Sequence, residues 1–233
     1  MHNQTYSGDV VWVIVDDCYP VTTDKVAENF KDKWTIVKVY PTPIWNRQNT
    51  QVRNIKAGMD ALISNFNNIE AIFIIEDDDY YRPVYLERMM VNFKNFDLIG
   101  ERNTIYYNVQ WRRYVTNPNT VHASLFQTAF TINAIPSLEK AYVHKFIDCL
   151  FWTLVPNRNL FYEHDLAVGM KGMPGRGGIG AGHSRNFVMK DDSNLIYLRS
   201  LIGIEDAKFY EGYYRNYRDY GQSQHTLFAK RSL

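Results

Sequence analysis

Four consecutive acids, Glu76, Asp77, Asp78 and Asp79, follow directly on the apolar run Ile72-Phe73-Ile74-Ile75. Adjacent carboxylates repel one another unless a cation sits among them, and a hard divalent ion with oxygen ligands is the usual occupant. An acidic turn capping the next helix is the plainer alternative, because acids favour helix starts. A second group, Glu163-His164-Asp165, precedes a glycine-rich run over 169–183 that ends at His183. Within the run, Lys171, Arg176 and exposed backbone amides suit a phosphate, with a surface loop of no chemical role as the alternative. Gly175, Gly177 and Gly180 spell Gly-x-Gly-x-x-Gly. No strand is read ahead of them and the Gly-Lys-Ser/Thr ending is missing, so they are not a dinucleotide fingerprint. Asp16 and Asp17 close another apolar run and either face a ligand or cap the following helix.

The elements that would position these groups follow from periodicity. Val10–Val15 reads as a buried strand, 23–30 as a helix and Trp34–Val39 as a second strand, stopped by Pro41 and Pro43. From Thr50 a helix carries Ile55, Met59, Leu62, Ile63 and Phe66 on one face. Arg53, Asn54 and Lys56 lie off that face near its amino-terminal end, where basic groups oppose the helix dipole and more naturally answer an anion. Ile72–Ile75 then reads as a strand buried on both faces, which makes the order βαβαβ and places the acids at the ligand end of a doubly wound sheet.

Beyond the acids, Pro83 opens a helix to Phe93, and 97–100 is a short strand. The stretches 105–109 and 111–114 read as antiparallel edge strands, and Ser124–Ile132 as one strand. Helices are read from Pro136 to Val143 and from Phe146 to Leu154. The expected fold class is therefore α/β, a mixed sheet with helices on both faces, a parallel first half and an antiparallel extension. The expected organisation is one domain over 1–233, with a ligand-binding half (1–100), a second half (101–203) and an aromatic-basic tail (204–233).

Composition excludes several classes. With 26 Lys+Arg against 25 Asp+Glu, net charge is +1, so no global field selects a polyanion and nucleic acid would need a local patch. Cys18 and Cys149 form no metal-ligand spacing and fit a reducing compartment. No leader pattern and no run of about 20 apolar residues is visible, so a cytoplasmic protein without a membrane span is expected.

The first hundred residues resemble glycosyltransferases of the GT-A fold, closest to the large inverting family-2-like group. The resemblance rests on Val52-Arg53-Asn54-Ile55-Lys56 followed by Ile74-Ile75-Glu76-Asp77-Asp78, matching a helix motif and a buried strand that ends in an Asp-x-Asp-type motif. It implies a nucleotide-diphosphate sugar as donor, most naturally a UDP-sugar, and Mn²⁺ or Mg²⁺ held by Asp78 with Asp79 and His183. Glu76 aligns with the first motif acid, and Glu76 and Asp77 fall with the donor-binding residues. Asp16 or Asp17 would touch base or ribose, and Arg53 with Asn54 base or phosphate. In such enzymes an acid near a helix start is the general base. Here Glu163-His164-Asp165 departs from the family spacing, so either acid fits; Asp165 is favoured, with Glu163 as acceptor ligand.

The same fold also hosts sugar nucleotidyltransferases, but Val15-Asp16-Asp17-Cys18-Tyr19-Pro20 stands where those carry a glycine-rich loop. A bacterial surface glycan or protein is one acceptor class. Trp111-Arg112-Arg113-Tyr114 and the Tyr/Arg-rich tail suggest another, a hydroxymethylated pyrimidine in viral DNA, gripped by phosphate contacts and ring stacking. For a viral chain the compartment would be the host cytoplasm.

Overall fold

A computed structural model describes residues 1–16, 20–41, 50–173 and 189–211. In chain order it contains β1 (Val11–Val15), α1 (Pro20–Phe30), β2 (Thr35–Val39), α2 (Thr50–Asn65), β3 (Ile72–Phe73), β4 (Tyr80–Tyr81) and α3 (Tyr85–Phe93). Then follow β5 (Leu98–Glu101), β6 (Thr104–Asn108), β7 (Arg113–Asn117), β8 (Thr128–Phe130), α4 (Ile135–Ala141) and α5 (Ile147–Leu154). The last elements are β9 (Arg158–Phe161), β10 (Ala167–Lys171), β11 (Lys190–Asp191) and α6 (Ile196–Ile202), with further helix over 204–211. The protein is thus a mixed α/β fold with parallel and antiparallel pairing.

The chain divides into two compact units. The first comprises Met1–Ile72, Leu86–Ile99 and Ala129–Asn159; the second comprises Phe73–Tyr85, Gly100–Thr128 and the chain from Leu160 onward. In the first unit β1 and β2 pair in parallel, Val11 opposite Thr35 through Val15 opposite Val39. Their end is sealed by rings: Phe30 stacks on Trp34 at 5.1 Å and meets Trp12 edge-on at 4.9 Å. Such contacts add about 0.5–1.5 kcal/mol per pair beyond burial. Met59, on the expected apolar stripe of α2, is buried, and Phe130 and Phe151 pack edge-on at 5.3 Å.

The second unit holds a five-stranded sheet of order β11-β7-β6-β10-β4. Strands β6 and β10 are parallel and the other neighbours antiparallel. Alternation assigns its two faces. Ile105, Tyr107, Val168 and Met170 pack with Leu195, Leu198, Leu201 and Ile202 as an apolar core. Tyr106, Gly169 and Lys171 point to the opposite face. Asp192 anchors α6 over the core face: its carboxylate accepts the Tyr107 hydroxyl at 2.9 Å and the amides of Tyr197 and Leu198, both at 2.9 Å.

Four expectations are corrected. The strand expected over 72–75 covers only Ile72–Phe73, and of the four residues only Ile72 is buried. Beyond it the Glu76 amide donates to the Tyr81 hydroxyl (2.8 Å), which takes that donor out of any ladder. Among the described residues β1 and β2 form a sheet of their own, whereas β3 lies in a four-stranded sheet of order β3-β8-β5-β9. The Ser124–Ile132 strand is broken into a 3₁₀ turn at Leu125–Gln127, strand β8 and a second 3₁₀ turn at Ile132–Ala134. Its cause is local: the Ser124 carbonyl accepts both the Gln127 amide and the Thr128 hydroxyl, each at 2.9 Å. Finally, a strand does precede the glycine-rich run, because β10 extends to Lys171.

Candidate functional site

The acids lie on the turn between β3 and β4, closed by the Asp79 amide on the Glu76 carbonyl at 3.4 Å. Asp77 is exposed and Glu76 and Asp78 are half-buried. Glu76, Asp78 and Asp79 each offer one carboxylate oxygen, and those oxygens lie within 4.8 Å of one another. The Asp79 side chain is 0% exposed. Its Oδ1 accepts the Met170 amide at 2.8 Å and the Lys171 ammonium at 3.2 Å. Its Oδ2 is buried without any hydrogen-bond partner. Burial pushes the Asp79 carboxyl well above its ordinary range, Lys171 pulls it down, and Glu76 and Asp78 push it up again. Leaving such an acceptor unsatisfied costs on the order of 1–3 kcal/mol, more for a charged group.

Lys171 arrives from β10. Its side chain is 7% exposed, and its ammonium sits 5.8 Å from the Tyr106 ring centre and 5.9 Å from that of Phe126. Burial works against the charged ammonium, but Asp79, Asp78 and Glu76 outweigh it and hold Lys171 above its usual range. Lys171, expected from its place in the glycine-rich run to meet a phosphate, has Asp79 as the anion beside it. Two glycines make this geometry possible. A Cβ on Gly169 would stand 2.6 Å from Tyr106 Cδ1 and 3.2 Å from Phe126 Cζ, so only glycine lets the rings close over the strand. Gly172 has φ +79°, and a Cβ there would meet Asn108 Oδ1 at 2.5 Å.

The same end of β10 carries the β6–β7 turn. The Val109 amide donates to the Lys171 carbonyl at 2.9 Å, and Asn108 Oδ1 accepts the Trp111 amide at 2.9 Å. Trp111 is 44% exposed. Arg112, at φ 49°, donates to the Ser193 carbonyl at 2.8 Å, and Arg113 lies 3.8 Å from Asp191 on the surface. Tyr210, from the helix over 204–211, is held above its usual range by burial and then by Asp79 and Asp206, so the first turns of the tail reach the neighbourhood of the acids.

Glu163 and Asp165 lie half-buried in the turn ahead of β10, and Asp165 is left-handed at φ 56°. Next to them stands an acid the sequence reading passes over. Glu101 is 1% exposed; both its oxygens accept the Leu166 amide (3.3 and 3.0 Å), and Oε2 also accepts Gln127 Nε2 at 3.1 Å. Burial pushes its carboxyl up to about 8 against the pull of those donors, with Asp165 pushing further. A signal exists, since Leu98-Ile99-Gly100-Glu101 repeats the pattern of an apolar run ending in an acid.

Glu76 to Asp79, Lys171, Glu163, Asp165 and Trp111 to Arg113 all belong to the second unit. Asp16, Arg53 and Asn54 belong to the first. There Asp16 accepts the Thr23 side-chain hydroxyl from the first turn of α1, and Arg53 Nε donates to Asn54 Oδ1 at 3.1 Å. Asp17, Arg176, His183 and the tail beyond 211 lie outside the described residues. No described helix is long and apolar enough to cross a membrane. Compared with known proteins, the chain matches no family model and no curated protein.

Proposed function

We propose that the turn carrying Glu76, Asp78 and Asp79 binds a divalent cation, Mn²⁺ or Mg²⁺, in a GT-A-like glycosyltransferase. Such an enzyme moves a sugar from a nucleotide-diphosphate donor, most naturally a UDP-sugar, to a hydroxyl. The observation that carries the cation is Asp79 Oδ2, a buried acceptor without a partner beside two further carboxylates. All-oxygen ligands suit a hard ion. When bound, the cation supplies charge neutralisation for the leaving diphosphate.

The chain's own residues supply the rest. Asp79 is fixed by Met170 and Lys171, which leaves its second oxygen as the ligand. Asp165 is the proposed base, taking the acceptor hydroxyl's proton, and its half-buried turn is fixed through the Leu166 amide on Glu101. Glu163 is the neighbour that would orient the acceptor.

The test is a thermal-unfolding screen of nucleotide diphosphates and their sugars with and without Mn²⁺. A ligand that binds the folded state alone raises the midpoint. A UDP-sugar that protects the chain only with Mn²⁺ present supports the reading. Protection by no nucleotide sugar, with or without metal, overturns it.

A further inference from the structure

Lys171 has a property that the acid turn alone would not predict. It is a fixed positive charge, almost sealed from water, placed on Oδ1 of Asp79, one of the three acids. The rings of Tyr106 and Phe126 box it in, and they close that tightly because Gly169 offers no Cβ to keep them off. A surface lysine could swing away when a metal arrived; this one has nowhere to go.

We propose that Lys171 is the residue that sets which cation the Glu76–Asp78–Asp79 turn accepts, restricting it to a single divalent ion. The inference rests on the reading of that turn as a cation site. Metal ligands bind deprotonated, so in the occupied site the three carboxylates carry three negative charges. The permanent ammonium beside Asp79 reduces that to two, which one divalent ion balances. A trivalent ion, or a second divalent one, would leave a buried excess of positive charge close to an ammonium that cannot be screened by water. Ligand charge count tunes cation affinity in oxygen-ligand sites generally. Here the count is trimmed by a side chain that is not itself a ligand. Lys171 is thus a positioning and selectivity residue: it holds Oδ1, leaves Oδ2 to the ion, and lowers the site's charge by one.

The test compares Mn²⁺ and Tb³⁺ binding to the full chain. Mn²⁺ is followed by calorimetry and Tb³⁺ by luminescence sensitised through nearby tyrosines. Lys171→Gln keeps an amide donor for Asp79 Oδ1 but removes the charge. It should shift the preference toward Tb³⁺ over Mn²⁺ by roughly tenfold or more, since a nearby charge acts more strongly on a trivalent than on a divalent ion. Lys171→Arg should restore the wild-type preference, which a purely structural role would not require. An unchanged preference in Lys171→Gln, with both ions still bound, overturns the inference and leaves the cation site standing. If the wild type binds neither ion, the cation site itself fails. Should Lys171→Gln not fold, wild-type stoichiometry decides: one Mn²⁺ per chain is expected, and two overturn the proposal.

Discussion

Glu101 receives the Leu166 amide on both carboxylate oxygens, at 3.0 and 3.3 Å, from the peptide that directly follows Asp165. The Leu166 carbonyl in turn accepts the Arg82 amide at 2.9 Å, so this one residue is held through the peptides on both sides of it. The acid therefore fixes the turn that presents Asp165 and the start of the strand that ends at Lys171. The groups facing it are Asp165, Gln127, the Leu166 and Ala167 amides, and Tyr85.

Stability should fall with rising pH because of Glu101. Its carboxyl is raised from an ordinary 4.5 to about 8, so between those values the folded chain holds a proton that the unfolded chain has released. The stabilisation is complete below about 4.5 and is lost as pH rises through about 8. Glu101→Gln should flatten the dependence of the unfolding midpoint on pH across 5 to 8. The substitution has a ready partner, because Gln127 Oε1 is buried without one and can turn to accept the new amide. A wild-type slope in Glu101→Gln would show that another group carries the titration.

Asp78→Ala should abolish Mn²⁺ binding without loss of fold. Removing a carboxylate from a cluster of three relieves repulsion, so metal-free stability should stay within about 0.5 kcal/mol of wild type or rise. At a Mn²⁺ concentration 100-fold above its dissociation constant, wild type gains about 2.7 kcal/mol and the variant nothing. Equal Mn²⁺ stabilisation of both would remove Asp78 from the ligand set.

Much of the first unit is legible because its elements obey a single period. Met59 lies on the stripe that helical spacing assigns it, and β1 and β2 begin within a residue of the apolar runs that mark them. Strand β10 hides for the opposite reason. Ala-Val-Gly-Met-Lys carries a glycine and a lysine on one face, which reads as loop until Tyr106, Phe126 and Asp79 supply partners from distant sequence. The acid turn is legible as a cluster, but the burial of Asp79 and the exposure of Asp77 are not, because both depend on where β10 runs. Glu101 escapes for the same cause: its burial is created by Gln127 and Leu166, respectively 26 and 65 residues away.

Gly169→Ala should destabilise the chain by about 1–3 kcal/mol, the usual cost of overpacking. The added methyl would stand 2.6 Å from the Tyr106 ring and must move it. That ring borders Lys171, so the same substitution should also weaken Mn²⁺ binding. A variant with wild-type midpoint and wild-type Mn²⁺ affinity would show that the close approach is not needed.

A nucleic-acid acceptor makes a demand that a glycan acceptor does not. Binding of duplex containing hydroxymethylated pyrimidine should weaken steeply with added salt, with a log–log slope of about −0.9 for each phosphate contacted. Trp111→Ala should lower affinity by removing an exposed ring, and Arg113→Ala should reduce the salt slope by about one. Binding that is absent, or indifferent to salt, points to the glycan or protein class.

Asp165 and Glu163 are two acids on one turn, and transfer chemistry should separate them. Asp165→Asn keeps size and polarity but cannot take a proton, so nucleotide-sugar binding should persist while transfer falls by about 10²–10⁴-fold. Glu163→Gln should instead raise the KM for acceptor with a smaller loss of kcat, since an orienting contact acts on the bound acceptor more than on the proton. Their conformations sharpen the comparison. Asp165 sits at φ 56°, a region where aspartate and asparagine are both tolerated, so Asp165→Asn perturbs the turn little and its effect reports chemistry. Because Leu166 is bound to Glu101, the peptide after the substituted residue stays fixed. If Glu163→Gln loses transfer while Asp165→Asn retains it, the base is Glu163 and the turn presents its acids in the opposite roles.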